Sequence, residues 1–159
     1  MSSGEVVVTT GGYHPDDVRR ILDTLPRWFG LPESNDEYVE KASTLTNLVA
    51  RDRDEIVGIG LVIRHNPQAA EIDLIAVPEG RHRQGIGRAI LDHLEAELRA
   101  DGVRMLHVKT FGPSGSSPEY ERTREFYEGT GFVPLEERTD IWGPENPCLI
   151  LVKPLGPSG

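Results

Sequence analysis

A single-domain α/β fold is predicted by this sequence, with a mixed, mostly antiparallel central sheet of about seven strands flanked by about four helices. Three observations carry that prediction. The elements read in the order β-α-α-β-β-β-α-β-α-β-β. The strand-like runs Leu45–Arg51 and Glu55–Arg64 are joined by only Asp52-Arg53-Asp54, which makes an antiparallel hairpin. One strand–helix–strand passage around Gly85 supplies the crossover that parallel neighbours need. At 159 residues the chain has the length of one domain. A chain of that size buries roughly 68–70% of its unfolded surface, so its core needs no staples.

Glu5–Thr10 is β-branched and ends at Gly11-Gly12, which marks a first strand. Pro15, Asp16 and Asp17 open a helix, because proline fits the first turn and acids suit its positive end. Val18, Ile21, Leu22 and Leu25 give that helix one apolar stripe, and Pro26 and Gly30 stop it. Ser34–Ala42 reads as a second helix, with Ser34 as cap and Glu37 at the capping-box spacing. After the hairpin, Asn66-Pro67 turns the chain into a strand over Ala70–Val77. Ile86–Arg99 is the clearest helix, with Ile86, Ile90, Leu94 and Leu98 four residues apart and Asp101-Gly102 at its end. Arg104–Thr110 is a strand, Gly112–Pro118 a loop and Glu119–Glu128 a helix closed by Gly129 and Gly131. Phe132–Thr139 and Cys148–Lys153 are the last strands. The expected domain runs over 1–154, and 155–159 reads as a Pro/Gly/Ser-rich flexible tail.

The charge balance is 17 − 26 = −9, which argues against a nucleic-acid binder with its basic face. The longest apolar run, Ile56–Ile63, is far short of the roughly 20 residues of a bilayer span, so no membrane partner is expected. The N-terminus has neither the basic start nor the apolar stretch of a signal peptide. One cysteine, Cys148, excludes an internal disulfide framework and a cysteine zinc cage. These features place the chain in the reducing cytoplasm.

The stretch Val77–Arg88 joins a strand to the strongest helix. Its glycines let the backbone approach a ligand, and the free N–H groups of a helix start favour a phosphate. Arg81, Arg83 and Arg88 form a basic island with no acid after Glu79. A polyphosphate ligand accounts for that island, and so does a plain helix start with solvated arginines. A dinucleotide fingerprint needs a third glycine where Ile90 stands, and a P-loop needs the absent Gly-Lys-Ser/Thr.

With its neighbours, this stretch resembles the GNAT superfamily, which transfers an acyl group from acyl-CoA to an amine. His82-Arg83-Gln84-Gly85-Ile86-Gly87 is similar to that family's Gln/Arg-x-x-Gly-x-Gly/Ala between its fourth strand and third helix. His82 departs from the pattern, which matters little where that position acts through its backbone N–H. Phe126-Tyr127-Glu128-Gly129-Thr130-Gly131-Phe132 looks like the family's Phe-Tyr-x-x-x-Gly-Phe segment. Tyr120 and Thr123 stand where the family often has Asn and Ala. The resemblance covers nearly the whole chain. It implies acetyl-CoA as co-substrate, held by the strand end Ile75, Ala76 and Val77, by His82, Arg83, Gln84, Gly85, Ile86, Gly87 and Arg88, and by Thr123 and Phe126. It also leaves a homodimer open, since the family often dimerises.

Acyl transfer to an amine needs a base for the ammonium, donors for the oxyanion and a proton for the leaving thiolate. The resemblance gives the last role to Tyr127; the plain alternative is a tyrosine packed beside Phe126 and Phe132. Glu71 and Asp73 alternate with Ile72 and Leu74, so both carboxylates face one side of their strand. In histone-acetyltransferase-like members a glutamate at the place of Glu71 is the general base, and burial or Asp73 beside it raises a carboxyl pKa toward that use. An exposed acidic strand face explains the same residues. His107 is a rival base and His65, beside a turn, a surface residue. Trp28 and Trp142 are candidates for the walls of an acceptor pocket, or are core residues. The histidine spacings match no metal template, so no metal is expected.

Acids cluster at Glu33, Asp36, Glu37 and Glu40, and again at Glu136, Glu137, Asp140 and Glu145. The resemblance sets both regions beside the acceptor, where Glu136 and Asp140 would attract a cation; a generally acidic surface is the simpler account. The expected activity is acetyl transfer to the primary amine of a small cationic acceptor, such as an aminoglycoside or aminosugar or a polyamine. No cysteine lies near either motif to carry an acyl intermediate, so direct transfer is expected. A protein or peptide N-acetyltransferase and a non-catalytic acyl-CoA-sensing or partner-binding module are the alternatives.

Overall fold

The structure, a computed structural model, describes residues 5–115 and 117–156. The elements are β1 (Val6–Thr10), α1 (Pro15–Asp23), α2 (Pro32–Lys41), β2 (Thr46–Asp52), β3 (Glu55–Asn66), β4 (Ala69–Ala76), a 3-10 turn over Glu79–Arg81, α3 (Ile86–Ala100), β5 (Met105–Phe111), α4 (Pro118–Gly129), β6 (Val133–Arg138) and β7 (Cys148–Pro154). Seven strands form one sheet in the order β1-β2-β3-β4-β5-β7-β6. Every pairing is antiparallel except β4 with β5, and α3 is the crossover between those two. The predicted order and the predicted hairpin are both present.

Two apolar layers enclose the sheet. Val18, Ile21 and Leu22 of α1 are at most 1% exposed and pack with Val49, Ile59, Leu61, Leu74 and Ala76. Ile86, Ile90, Leu91, Leu94 and Leu98 of α3 pack with Leu48, Ala50, Ala70 and Ile72. Each such side chain contributes about 1.5–3 kcal/mol on burial. The α3 contact is close because Gly58 lies beneath it: a Cβ there would meet Ile86 Cγ2 at 2.8 Å and Ile90 Cδ1 at 2.9 Å.

Three local expectations are corrected. The second helix begins at Pro32 with Leu31 as its cap, and no side chain caps it. Proline presets the first-turn φ and lacks an N–H to satisfy, so Ser34 is left inside the helix. The hairpin turn is tighter than expected, since Asp52 pairs with Glu55 and Arg53 takes a φ of +60°. Leu155, assigned to the tail, is 5% exposed and its N–H donates to the Arg104 carbonyl at 2.8 Å. Of the expected tail, 157–159 lie outside the described residues, as do 1–4 and 116.

Two irregularities of β4 position the site. Its parallel pairing with β5 covers Ala69–Ile72 against Met105–Val108 and stops there. The strands separate beyond that point. On the other edge, Leu61 is opposite Leu74 while Val62 is opposite Ile72, so Asp73 is the extra residue of a β-bulge. A bulge re-aims the chain. Ala70 and Ile72 accordingly pack in the α3 layer, whereas Leu74 and Ala76 pack in the α1 layer.

Candidate active site

A cleft of about 1340 Å³ opens where β4 and β5 part. Its walls come from the segment between α1 and α2, from α2, β4, the start of α3, β5 and α4. One end is the glycine loop. Gly85 caps α3 with a φ of +77°, a conformation glycine adopts without strain. The first intrahelical bond runs from Ala89 N–H to the Gly85 carbonyl at 3.0 Å. The N–H groups of Ile86, Gly87 and Arg88 therefore have no acceptor within the helix, which is the arrangement that receives a phosphate. Phe126 of α4 lies 3.5 Å from where a Gly87 Cβ would stand, so α3 and α4 meet closely at this end.

Of the residues assigned to the cofactor, Ile75, Ala76, Val77, His82, Arg83, Gly85, Ile86, Gly87, Arg88, Thr123 and Phe126 line the cleft, and Gln84 does not. The basic island is not three free cations. Arg81 is held by Asp52 at 2.9 Å and Glu55 at 3.0 Å, both from the hairpin. Arg88 pairs with Asp92 at 3.4 Å on the exposed face of α3. Arg83 has a φ of +68° and no carboxylate partner among the described residues. His82 also departs from expectation. Its backbone N–H already donates to the Glu79 carbonyl at 3.2 Å, and its ring lies 2.7 Å from the Val77 carbonyl. It ties the loop to the strand end, with its ring edge on Trp28.

Tyr127 is buried between Phe126 and Phe132, both edge-on, and its ring also reaches the cleft. Burial, with Tyr38 nearby, raises its pKa well above that of a free phenol, so it is a neutral O–H. Tyr38 of α2 also lines the cleft, and burial beside Asp73 raises its pKa likewise. Sequence reasoning passed over Tyr38; an aromatic in an otherwise acidic, lysine-ended helix was the signal.

Glu71 and Asp73 are shifted in opposite directions. Glu71 is no exposed strand acid, being 6% exposed. Burial pushes its pKa up, but hydrogen bonds from His107 and His65 and the charge of Lys109 outweigh that and hold it at about 2. His65 Nε2 stands 2.8 Å and His107 Nε2 3.2 Å from Oε1, with Lys109 Nζ 3.3 Å from Oε2. A carboxylate so compensated is ionised at neutral pH and weakly basic, which counts against Glu71 as general base. The turn residue His65 and the strand residue His107 are likewise joined through it. Asp73 behaves oppositely: burial raises its pKa, only partly offset by Lys41 at 3.3 Å from Oδ1. Its Oδ2 is buried in the cleft wall with no hydrogen-bond partner. The bulge carries this carboxylate to the point where the strands part.

At the acceptor end, Trp28 lines the cleft and its Nε1–H donates to the Glu119 carbonyl at 3.1 Å, while Trp142 lines it half-exposed. Tyr120 donates from its hydroxyl to the Trp28 carbonyl at 2.5 Å, a link between the α1–α2 connection and α4. The expected acidic rim is corrected. Glu136 and Asp140 pair with Arg138 at 3.5 and 2.5 Å and do not line the cleft. From the first acidic cluster, Glu37 does line it. No metal is expected from the histidine spacing along the chain; in the fold His65, Glu71 and His107 bring three ligand atoms within 4.8 Å of one another. Among the described residues no helix is long and apolar enough to cross a membrane.

Comparisons with known proteins agree with this geometry. A family model for an acetyltransferase (GNAT) domain matches residues 43–134. The chain is 26% identical over 106 residues to the uncharacterized N-acetyltransferase YsnE of Bacillus subtilis, which is 67% of each chain. The ribosomal-protein-S18-alanine N-acetyltransferase of Escherichia coli superposes with a TM-score of 0.72 at 21% identity, over 96% of this chain and 97% of that one. An aminoglycoside 6'-N-acetyltransferase complexed with coenzyme A gives 0.74 at 20% identity, over 95% and 98%. At such identities the superpositions speak for the fold.

Proposed function

This chain belongs to the GNAT acetyltransferases and is an acetyl-CoA-dependent acyltransferase; we propose that it acetylates the primary amine of a small cationic acceptor by direct transfer. The observation that carries this reading is Asp73, a carboxylate of the cleft wall with an 11% exposed side chain, whose buried Oδ2 has no hydrogen-bond partner. An unpaired buried acceptor costs roughly 1–3 kcal/mol, a penalty that an incoming ammonium removes. Glu37 in the same wall adds a second negative charge, and Trp28 and Trp142 supply apolar sides.

Acetyl-CoA enters with its phosphates on the N–H groups of Ile86, Gly87 and Arg88 and beside Arg83, and its acyl end between β4 and β5. Asp73, whose raised pKa suits the task, accepts the ammonium proton. The amine nitrogen then forms a bond to the thioester carbonyl carbon, and the C–S bond breaks as the tetrahedral adduct collapses. Tyr127 gives its O–H proton to the leaving sulfur, which departs as the thiol; the second proton of the nitrogen returns to Tyr127, and the first passes from Asp73 to solvent. Glu71 stays ionised and positions His65, His107 and Lys109 beneath the site. The aminoglycoside and protein N-acetyltransferases among the structural relatives mark two acceptor classes, and the carboxylates of Asp73 and Glu37 in the cleft favour a cationic acceptor of the first kind.

Release of the CoA thiol tests this reading across a panel of polyamines, aminosugars, aminoglycosides and peptides with free N-termini. Turnover confined to small cationic amines is expected. Acetyl-CoA binding without turnover of any amine identifies a sensing module, and turnover of peptides alone a protein acetyltransferase.

A further inference from the structure

We propose that His65, Glu71 and His107 form a binding site for one transition-metal dication of the Zn²⁺ type, on the side of Glu71 turned to the two histidines. The three residues come from three adjacent strands. Glu71 of β4 is directly opposite His107 of β5 in the parallel ladder. His65 is the extra residue of a second bulge, since Arg64 pairs with Ala70 and Asn66 with Ala69. That irregularity turns its ring onto the face that carries Glu71.

The ligand geometry is preformed. Both Nε2 atoms converge on the same carboxylate oxygen, at 2.8 and 3.2 Å. The rings lie nearly parallel, 14° apart with centroids at 5.4 Å, so the two nitrogens present a common edge. Tetrahedral Zn²⁺ with bonds of about 2.0–2.2 Å sets neighbouring ligand atoms about 3.3 Å apart. The separations from Oε1 are already close to that, and small ring rotations open room for the ion. The ion replaces two N–H···O bonds with two nitrogen–metal bonds and one from Oε1, the ring protons moving to Nδ1. Lys109 holds Oε2 at 3.3 Å and so fixes the carboxylate while leaving Oε1 to the metal, the usual outer support of a ligating carboxylate.

The donor set decides the class of ion. Two imidazoles and one carboxylate suit Zn²⁺, Co²⁺, Ni²⁺ or Cu²⁺, whereas Mg²⁺ and Ca²⁺ prefer oxygen alone. His65 has a 42% exposed side chain and His107 a 23% exposed one, which gives the ion an entry path and a water for its fourth position. Neither histidine lines the cleft, whereas Glu71 and Lys109 do, so the ion would sit on the far side of a carboxylate shared with the cleft wall. A bound ion would clamp β3, β4 and β5 just below the point where the last two strands part.

The test uses the full chain without a histidine tag, stripped with chelator. Co²⁺ titration is followed by its visible absorption, and Zn²⁺ by thermal unfolding. One Co²⁺ per chain with the bands of a four- or five-coordinate ion is expected. Zn²⁺ at 100 times its dissociation constant should raise Tm by about 5–10 °C, with no such rise for Mg²⁺. His65→Ala, at a half-exposed position that leaves the fold intact, and His107→Gln should each weaken binding at least about tenfold. His93→Ala, on α3 away from the cluster, should not. Absence of Co²⁺ bands and of a Zn²⁺ shift in the wild type overturns the proposal, as does His65→Ala binding with wild-type affinity.

Discussion

Replacing Glu71 by Gln separates a structural carboxylate from a catalytic one. In the folded chain the Glu71 carboxyl titrates at about 2, against 4.5 for the free group. Folding thus favours its ionised form, so the unfolded chain binds more protons between these values and stability rises with pH across that window. The contribution is complete above about pH 4.5 and gone below about pH 2. Each unit of difference is worth about 1.4 kcal/mol, so the whole is on the order of 3 kcal/mol. Its side chain is only 8% exposed, so solvent screening removes little of this. Gln keeps the shape and some hydrogen bonds but not the charge. Urea unfolding of both proteins at several pH values, with chelator present, reads the effect. The wild-type advantage should shrink by about 2 kcal/mol between pH 7 and pH 3. That is about 1 M in urea midpoint at a typical slope. An advantage that does not change with pH would refute the reasoning, because the carboxylate would then owe nothing to His65, His107 and Lys109.

Three further outcomes are expected. Arg83→Ala should weaken acetyl-CoA about tenfold by isothermal titration, the value of one charged hydrogen bond, with Tm unchanged; an unchanged affinity removes Arg83 from the phosphate site. Tyr127→Phe should lower turnover by about 10²–10⁴ with acetyl-CoA affinity retained, whereas a change of only a few-fold would give the thiolate proton to another group. Gly58→Ala should cost about 1–3 kcal/mol in denaturant unfolding, because its methyl would stand 2.8 Å from Ile86 and 2.9 Å from Ile90. A neutral substitution there would mean that α3 is free to shift away from the sheet.

Much of this architecture was legible from periodicity and turn chemistry. The four-residue repeat of Ile86, Ile90, Leu94 and Leu98 gave the buried face of α3, and the glycine loop before it gave its start. Tyr127 and the loop came from motif resemblance. What stayed hidden depends on register between strands. One extra residue at Asp73 breaks the two-residue alternation of β4 and moves that carboxylate into the cleft wall, yet nothing in Glu71-Ile-Asp73-Leu announces a bulge. The meeting of His65, Glu71 and His107 needs the pairing of three strands, which local pattern does not contain. Arg81 is taken by Asp52 and Glu55 because the hairpin turn folds over the loop. The pairing of Glu136 and Asp140 with Arg138 was within reach, since all three are at two-residue spacing along one strand and its end.

The account rests on Asp73 as the group that receives the amine and its proton, and Asp73→Asn tests that most directly. Burial raises the Asp73 pKa, so stability tied to its protonated form is lost as pH rises, and at neutral pH the ionised group is a cost. Asn removes the cost, and its partner Lys41 is half-exposed and readily solvated. The measurement is kcat/KM for the best amine of the panel at saturating acetyl-CoA, beside Tm and acetyl-CoA affinity for the same protein. The expected result is a fall of about 10²–10⁴, partly recovered at higher pH where the amine is already neutral, with Tm equal or higher and acetyl-CoA bound as before. A kcat/KM within a few-fold of wild type, in a protein that folds and binds acetyl-CoA normally, would contradict it.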